Sequence, residues 1–484
     1  MEKPRVRIKN GLPVTAGATR PTFRNQAYEG ATHGRRSAGI VAPASGPNRA
    51  LNGSLSTLRN RSRHAFRNNP WIERAISRNV SNEVGTGITP LFASSNTAFN
   101  ERMAAVWDAW TGYASVDRTL DFYGILALAA RTRRITGEVF IRLRYMPVGS
   151  QQVPIALQVI EPDMVPSDHD RTRSNGNRII AGKEFTRRGK LVAVWVYKEH
   201  PGDGFGYAST ELVRIPAAQI IHHYLPLRPG QVRGEPDIVP ALLRAHTYDS
   251  YEDAELKRKE TRAPFTAFLQ KEYQGEDGWK FDPISGEPID EDQDVPEINA
   301  QPGTILTGLP GEKITLFDGD KTGDGYADYQ RQQLLAIAAG AKSLYELMTG
   351  DWSNINDRIY RAMIQEYRRE IEVAQDHLCI HQICERIASW FTDQAVLLGL
   401  VQAPGYSQHY TDYHLRDWRP QRWPHIHPTQ DVEATVLEIE NDLESLEAAV
   451  ARRGYRAADV QRKNVEARQR KVELERKAGL DRKE

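Results

Sequence analysis

The sequence has few cysteines, no long apolar run and almost no net charge. Its 484 residues include two cysteines, Cys379 and Cys384, which excludes a disulfide framework and indicates a reducing compartment. The longest apolar runs, at 124–130 and 334–341, fall well short of the roughly 18 residues of a membrane-spanning helix. The first 30 residues contain no apolar segment typical of a signal peptide. We therefore expect no membrane among the partners of this chain.

Motifs of catalysis are also scarce. The sequence contains no Walker lysine, no Ser or Cys nucleophile motif and no paired-carboxylate signature. Gly85-Thr86-Gly87 could suggest a phosphate-binding loop, but such a loop lies between a strand and the helix that follows it. Here the glycines follow a predicted amphipathic helix that begins at Pro70 behind an Asn69 cap. We predict a helix end at this position, no catalytic residue and no cofactor.

Two short patterns have some features of metal sites. His377, His381 and Cys384 have the i, i+4, i+7 spacing of one helix face and are weak candidates for zinc ligands. Faces with a stray histidine and cysteine are more often packing surfaces, so we predict no metal. The segment 318–329 begins like a calcium loop, but Tyr329 stands where the bidentate glutamate is required. An ordinary turn is the more frequent outcome.

Charge is distributed unevenly, although the net charge is only +1. Residues 1–69 contain 13 Lys/Arg and 2 Asp/Glu, so the remainder of the chain carries a net charge of −10. Residues 1–60 are also rich in Gly, Pro and Ala without periodicity, which predicts a basic, flexible N-terminal arm. The acidic remainder argues against a protein whose whole folded surface binds nucleic acid.

Periodicity predicts an α+β protein. Helical patterns near 70–83, 100–110 and 125–136 precede strand patterns at 138–146, 156–162, 190–199 and 217–225. Two further helices, 238–262 and 326–342, bracket an insert with strand patterns, and Asp237 is placed to cap the first of them. The run 357–398 has neither Pro nor Gly and predicts a long helix with a bend or a break. Two helical patterns occupy the chain from about 429.

Taken in order, these motifs resemble those of the lambda-type portal proteins of tailed bacteriophages. The N-terminal signature RNNPWIERAISRNVSNEVGTGI is followed by GEVFIRLRY, LQVIEPDMV, GKLVAVWVYKEHPGD and RIPAAQIIHHYLPLRPGQVRGEPDIVPAL. The later blocks are QPGTILTGLPGEKI, IAAGAKSLYELMTGDWSNINDRIYRAMIQEYRR and RWPHIHPTQDVEATVLEIENDLESLEAAVARRG. The resemblance covers roughly residues 50–480, and the shared order makes it specific. The sequence departs from the family at His427, where the family usually has Asp, and at INDRIYR.

The resemblance implies a portal fold with an α/β wing, a helical stem, a β-containing clip and an α-helical crown, assembled as a ring. The implied boundaries are 1–60 for the arm, 61–235 for the wing, 236–264 for stem helix 1, 265–322 for the clip, 323–342 for stem helix 2, 343–357 for a tunnel loop, 358–428 for the rest of the wing and 429–484 for the crown.

The implied function is non-enzymatic. The chain would form a homododecameric ring at one capsid vertex of the virion, assembled in the bacterial host cytoplasm. Double-stranded DNA would pass through the ring without sequence specificity, during packaging and ejection. The implied protein partners are the terminase large subunit, the major capsid and scaffold proteins, and a head-completion or tail adaptor protein.

Two groups of residues are candidates for contacts in such a ring. Those near the DNA channel are Lys342, Ser353, Asn354, Asn356 and Arg358. Those for ion pairs between stems of neighbouring subunits are Asp253, Glu255, Lys257, Lys259 and Arg262. We expect a channel that is neutral or acidic over much of its length, because a strongly basic tunnel would hold the DNA that has to slide. For Lys342 and Arg358, an ordinary surface position is the alternative.

Two other hypotheses remain open from the sequence. One is a metal-dependent nucleic-acid-processing enzyme that uses His377, His381 and Cys384. The other is a different structural protein of the head–tail junction. Bound zinc would favour the first, and failure to form a ring would favour the second.

Overall fold

The computed structural model describes residues 39, 43–147, 149–203, 211–262, 267–271, 285, 312–316, 326–353, 355–421, 423, 428–452 and 457–477. The chain divides into two units, Met1–Gly46 and Pro47–Glu484, and residues 43–46 of the first have no regular secondary structure. Within the described ranges, no helix combines the length and apolarity needed to span a bilayer.

The second unit contains helices and antiparallel sheets. The helices are α1 (Pro47–Asn52), α2 (Leu55–Asn68), α3 (Pro70–Glu83), α4 (Thr97–Thr111), α5 (Phe122–Thr136), α6 (Val239–Arg262), α7 (Tyr326–Gly340), α8 (Tyr345–Thr349), α9 (Asp357–Ala374), α10 (Glu385–Leu397), α11 (Tyr410–Tyr413), α12 (Pro428–Glu440), α13 (Leu446–Arg452) and α14 (Ala457–Lys477). A π-helix, Gln375–Cys384, joins α9 to α10, and Pro162–Met164 and Ala217–Gln219 are short 3-10 helices.

The strands are β1 (Thr89–Phe92), β2 (Glu138–Tyr145), β3 (Ile155–Ile160), β4 (Arg171–Thr172), β5 (Arg178–Ile180), β6 (Lys183–Phe185), β7 (Leu191–Tyr197), β8 (Leu212–Pro216), β9 (Ile220–Tyr224), β10 (Ala267–Lys271), β11 (Glu312–Leu316) and β12 (Arg416–Arg419). They form sheets in the orders β3-β2-β9, β4-β5-β6-β7-β8, β1-β12 and β10-β11, and every pairing is antiparallel. The expected α+β class is therefore confirmed.

The helix before the glycine turn begins and ends as the sequence predicts. Asn69 Oδ1 accepts a hydrogen bond from the backbone N–H of Ile72 at 2.9 Å, and Pro70 occupies the first helical position. Gly85 has φ +58, and the side-chain oxygen of Gln421 accepts from the N–H of Thr86 at 2.7 Å. A Cβ on Gly85 would come within 2.1 Å of that oxygen. The turn is thus the end of a helix, and the Gln421 side chain occupies the space beside its glycine.

The main core lies between these N-terminal helices, the three-stranded sheet and α10. At its centre Trp107 is 1% exposed, with ring centroids 4.9 Å from Phe391 and 5.1 Å from Phe122, both in edge-to-face contact. A second core cluster joins the two larger sheets through residues such as Phe140 and Val194. The sheets therefore pack on each other as well as on helices.

The flexible N-terminal arm predicted for residues 1–60 ends at least 14 residues earlier than expected. Residues 47–60, which composition predicts to be extended, are mostly helical in α1 and α2. Leu51 and Leu55 are buried, and Arg59 is 2% exposed and paired with Glu138. The local composition is weakly helical, but these buried contacts hold the segment. Residues 1–38 lie outside the described ranges.

Helices α6 and α7 form an antiparallel pair, which we call the helix pair. Ala241 lies opposite Gly340, where a Cβ on the glycine would come within 3.0 Å of the alanine Cβ. Farther along, Arg244 donates to Gln333 Oε1 at 2.8 Å, and Tyr251 contacts the Tyr329 ring with centroids 5.1 Å apart. Beyond α6, β10 pairs with β11, so two strands of the insert follow the pair as expected. The calcium-like residues 318–325 are not described.

The long helical run is continuous from Asp357 to Leu397, and its middle is π-helical. Two glutamines of the π-helix bind neighbouring elements. Gln375 Nε2 donates to Glu83 O at the end of α3, at 3.0 Å, and Gln382 makes both amide hydrogen bonds to the backbone of Tyr224 in β9, at 3.0 and 3.1 Å. The π-helix is thus hydrogen-bonded both to the end of α3 and to β9.

The first of the two C-terminal helical patterns is divided into α12 and α13. Asp442 adopts a left-handed conformation with φ +59, and Leu443 N–H donates back to Glu438 O at 2.9 Å. This is a helix-ending turn of the kind that usually uses glycine. Periodicity alone does not reveal it, because asparagine and aspartate adopt this conformation without a sequence break.

Candidate functional site: the junction between the helix pair and the body

The chain enters and leaves the helix pair at one place, which we call the junction. Asp237 lies two residues before α6, and Lys342 lies two residues after α7. Lys342 Nζ is 3.0 Å from Asp237 Oδ1, so one ion pair closes the base of the pair. Lys342 has φ +53, and Asn79 of α3 donates from Nδ2 to its carbonyl at 3.0 Å. Asn79 thereby satisfies a carbonyl at the end of α7 that the helix leaves open.

Asp237 belongs to a set of charges that we call the junction cluster: Glu83, Arg133, Arg134, Asp237 and Lys342. The first four are buried, and the Lys342 side chain is 41% exposed. Arg133 Nη2 is 3.0 Å from Glu83 Oε2, and Arg134 Nη2 is 2.5 Å from the same oxygen. Asp237 Oδ2 contacts Arg133 at 3.4 Å and Arg134 at 3.2 Å. Two carboxylates from α3 and the start of α6 thus share two guanidinium groups of α5.

Burial and opposite charge act against each other in this cluster. Burial opposes ionisation of Glu83, but the charges of Arg133 and Arg134 outweigh it and lower its pKa to about 2. Burial also opposes ionisation of Asp237, and the same arginines together with Lys342 nevertheless lower its pKa. The carboxylates therefore stay ionised at neutral pH, and the helix pair is held by a charged network.

Asp237 is not the cap of α6, contrary to the sequence prediction. The first helical hydrogen bonds run from Ala241 and Leu242 N–H to the carbonyl of Ile238, which places the cap position at Ile238. The Asp237 carboxylate points instead to Arg133, Arg134 and Lys342. The carboxylate therefore forms ion pairs in the protein interior and does not cap the helix.

A second buried cluster lies between α2 and the two larger sheets. Glu138 Oε1 accepts from Arg59 and from Arg233 Nε at 2.6 Å. Its Oε2 accepts from Gly234 N–H at 2.9 Å and lies 2.7 Å from His222 Nε2. Burial opposes ionisation of Glu138, but Arg233 and Arg59 hold its pKa well below the usual range. Lys183 Nζ lies 2.8 Å from His222 Nδ1, and burial lowers the pKa of Lys183 to about 7.

Part of the predicted tunnel loop is a helix. In α8, Tyr345 and Met348 are buried, and Arg74 of α3 donates to Leu347 O at 3.2 Å. Gly350 ends this helix with φ +78. The loop is therefore shorter than 343–357 and spans residues 350–356, of which the structure describes all but 354. Trp352, 45% exposed, packs edge-to-face on Tyr360 of α9 at 5.5 Å.

The candidate channel residues have distinct local roles. Ser353 donates from its N–H and hydroxyl to Asp351 Oδ1, at 3.1 and 2.5 Å, and Asn356 caps α9 by accepting from Ile359 N–H at 2.9 Å. Arg358 is exposed in the first turn of α9. Lys342 belongs to the junction cluster, and its side chain is 41% exposed. Asn354 lies outside the described residues.

The candidate stem charges lie on the outer half of α6. Asp253, Lys257 and Lys259 are exposed, and Lys259 Nζ lies 5.1 Å from the Tyr326 ring of α7. Glu255 is 8% exposed and accepts from Arg258 at 2.7 Å, so it is paired within its own helix. The side chain of Arg262 lies outside the described part of α6.

The candidate zinc ligands are not brought together. His377 and His381 are exposed, whereas Cys384 is fully buried. The predicted common face assumed α-helical spacing, and the π-helix changes that spacing.

A different set of ligand types lies close together at Glu83, His223 and Cys379, with ligand atoms within 4.8 Å of one another. Glu83 already binds Arg133 and Arg134, and these two positive charges disfavour a cation at this position. Cys379 Sγ lies 3.3 Å from Glu83 Oε1, and burial raises the pKa of its thiol well above the usual range. The donor set thus does not fit a metal.

Comparison with known proteins decides the family. The family model described as "Phage portal protein, lambda family" matches residues 33–375, well over half of the chain. The chain belongs to this family. A probable portal protein of Halomonas phage phiHAP-1 is 26% identical over 420 residues, covering 84% of this chain and 78% of the relative. Portal protein B of Escherichia phage lambda is 20% identical over 387 residues, covering 74% and 71%.

Two solved chains from gene transfer agent particles are also similar. One belongs to the neck of an empty particle, with a TM-score of 0.48, 13% identity, and coverage of 87% of this chain and 97% of that one. The other belongs to the neck of a native particle, with a TM-score of 0.45, 13% identity, and coverage of 86% and 96%.

Family membership fixes the broad role of the chain. It is a portal protein, a structural component of the connector between phage head and tail, and its place is in the virion at the portal vertex of the capsid. The recognition made from the order of the motifs is therefore confirmed.

The junction cluster predicts that removing Asp237 or Lys342, the two partners of one ion pair, lowers the free energy of unfolding by unequal amounts. Asp237→Ala should lower the free energy of unfolding by about 3–5 kcal/mol, because it leaves buried arginines with less compensating charge. Lys342→Met, which removes the partly exposed partner, should cost about 1 kcal/mol or less. Urea unfolding of both variants at equal protein concentration measures the difference. Equal losses would show that the buried arginines do not depend on Asp237.

The buried histidine beside the junction cluster predicts a loss of stability in acid. Burial and the charge of Arg133 lower the pKa of His223 to about 3, below the roughly 6.5 of an unfolded histidine. Between these values the unfolded state binds more protons, so stability falls as pH falls below about 6.5. Between pH 7.5 and 5, His223 should account for about 2 kcal/mol of the loss.

Urea unfolding at the two pH values tests this, with His223→Gln against the exposed control His377→Gln. The first variant should show a pH dependence smaller than that of the wild-type protein by about 2 kcal/mol, and the second should show no change. An identical pH dependence in wild type and His223→Gln would contradict a neutral, buried His223.

Proposed function

We propose that this portal protein assembles into a closed ring of about twelve subunits, with the helix pair packed around a central DNA channel. The observation that carries the proposal is the set of large apolar side chains left exposed on both helices of the pair. Leu243 is 73% exposed and Leu256 59% exposed on α6, and Tyr329 is 46% exposed on α7. Apolar surface of this kind is typical of a face covered by another subunit.

The segments then take the following places in the ring. The described residues between 61 and 235 form the wing, the helix pair forms the stem, and β10 with β11 belongs to the clip. Residues 350–356 form the tunnel loop, and α12, α13 and α14 form the crown. The described helices and strands support these assignments by their order along the chain.

Duplex DNA passes through the ring without sequence specificity. The candidates for its contacts are Lys342, Ser353, Asn354, Asn356 and Arg358, and the channel is neutral or acidic over much of its length. Lys342 is already paired with Asp237, which supports a channel in which positive charge is compensated. Exposed charges of α6, such as Asp253 and Lys257, form ion pairs with neighbouring subunits, each weak by itself.

The remaining partners follow from family membership. We infer that the terminase large subunit binds the clip, that the major capsid and scaffold proteins bind the wing, and that a head-completion or tail adaptor protein joins the ring to the tail. We also infer that the chain has no catalytic activity of its own. The competing metal-enzyme hypothesis requires His377, His381 and Cys384 to bind one metal ion. The two histidines are exposed and Cys384 is buried, so these residues do not form a common site.

Native mass spectrometry with negative-stain images along the particle axis tests assembly. The wild-type protein should form a ring of about twelve subunits with a central hole. Leu243→Glu and Leu256→Glu should each shift the population to smaller species, because a buried carboxylate in the contact has no partner. Gln365→Glu, at an exposed position on α9 outside the helix pair, serves as a control for added charge.

Two results would overturn the proposal. One is a metal-containing monomer or dimer with nuclease activity. The other is a population that stays monomeric when scaffold and capsid proteins are added. Rings that are equally abundant in wild type and in both leucine variants would retain the ring but exclude Leu243 and Leu256 from its subunit contacts.

A further inference from the structure

A surface dominated by one sign of charge lies on the five-stranded sheet. Residues 171–190 contain seven Lys/Arg and a single acidic residue, Glu184. The chain from residue 70 onward has a net charge of −10. This stretch is therefore locally basic within a body that is acidic as a whole, and it is far from the junction and from the tunnel loop in sequence.

Two turns bring these charges to one place. Gly176, with φ +80, lies in the β4–β5 turn, and a Cβ there would come within 2.3 Å of Arg187 Nε in the β6–β7 turn. The two turns are therefore in contact. Arg187, Arg188 and Lys190 are exposed in the second turn, and Arg178 is exposed at the start of β5. We call these four residues the basic patch.

The acidic groups nearby do not neutralise the basic patch. Glu184 is fully buried and accepts from Arg173 at 3.1 Å, Arg214 at 2.8 Å and Asn177 at 2.8 Å. Asp170, before β4, accepts from the N–H of Ala181 at 2.6 Å. Among the residues that the structure describes, no carboxylate lies within 4.0 Å of the four patch side chains.

A groove lies beneath the patch, with a volume of about 370 Å³. Its lining includes two residues of the patch, Arg178 and Arg187, and two aromatic residues, Phe185 and Tyr224. Lys183 is also part of the lining, with its ammonium group 5.1 Å from the Tyr224 ring. The patch thus adjoins a concave surface lined by arginine and aromatic side chains.

The surroundings of the patch favour nucleic acid over a protein partner. Protein interfaces have an apolar centre, whereas interfaces with DNA are more polar and much more positive. From residue 171 to residue 190 no large hydrophobic side chain is exposed. The apolar residues of this stretch, among them Ile179 and Phe185, are buried or half-buried.

We propose that the basic patch binds the phosphate backbone of duplex DNA without sequence specificity, at a site separate from the channel. Arginine and lysine side chains on neighbouring turns can each approach a phosphate, and neutralising phosphates releases counterions. In the channel DNA has to slide, whereas the patch holds DNA in place. The patch lies within one chain, so this proposal does not depend on ring assembly.

Fluorescence anisotropy with a labelled duplex of about 30 base pairs, measured across a salt series, tests the proposal in the full-length protein. The triple variant Arg187→Gln, Arg188→Gln, Lys190→Gln should reduce the log–log salt slope by about 2–3, because each lost phosphate contact lowers it by about 0.9. The matched control Arg369→Gln, Lys463→Gln, Arg470→Gln removes the same charge from exposed positions on α9 and α14. The control should leave the slope close to that of the wild-type protein.

The oligomeric state of each variant is measured in parallel, so that a failure to assemble is distinguished from a failure to bind. Equal slopes for the wild type and the patch variant would overturn the proposal, as would an equal fall in the patch variant and the control. Poly-L-glutamate is a second probe. If the patch variant loses binding to poly-L-glutamate while its DNA binding is unchanged, the patch serves an acidic protein and the proposal is wrong.

A cleavage label at the patch tests where the duplex binds, independently of the overall affinity of the protein for DNA. Arg188→Cys can be labelled with iron-EDTA, because the native cysteines, Cys379 and Cys384, are both buried. Hydroxyl radicals from this position should cleave bound duplex, whereas the same label at Arg369→Cys should cleave it much less. No cleavage from position 188 would also overturn the proposal.

Discussion

Two arginine side chains buried side by side have to be neutralised inside the protein, and much of the architecture depends on this requirement. Arg133 and Arg134 are nearly inaccessible to water, and an unpaired charge in such surroundings costs several kcal/mol. Glu83 at the end of α3 and Asp237 before α6 supply the compensating charges. The four groups therefore fix the position of the helix pair relative to α3 and α5.

The same network positions the loop that we assign to the channel. Lys342 extends the cluster to the end of α7, and Asn79 and Arg74 of α3 donate to carbonyls at Lys342 and Leu347. Residues 350–356 therefore begin from a segment bonded to the body on several sides. In a ring, such attachment would hold every copy of the loop at the same distance from the axis. The π-helix adds a further contact, since Gln375 donates to the last carbonyl of α3.

Regular elements could be predicted from the sequence, and long-range polar contacts could not. The helix at 70–83, its Asn69 cap and the helix pair follow from local patterns of capping and periodicity, which act over a few residues. The pairing of Glu83 with Arg133 joins residues 50 positions apart, and no local pattern reveals it. The short strands β4, β5 and β6 were missed because each has two or three residues, too few to show alternation. The zinc hypothesis failed for a related reason, because the helix at His377 and His381 is π-helical and no local pattern in the sequence reveals that geometry.

The measurement that tests this account most directly is a cryo-electron microscopy reconstruction of the assembled particle. The account predicts a ring in which residues 350–356 line the narrowest part of the channel, with the Glu83–Arg133–Arg134–Asp237 contacts intact in every subunit. It would be contradicted by a ring in which this loop faces outward, or in which the helix pair has separated from Arg133 and Arg134.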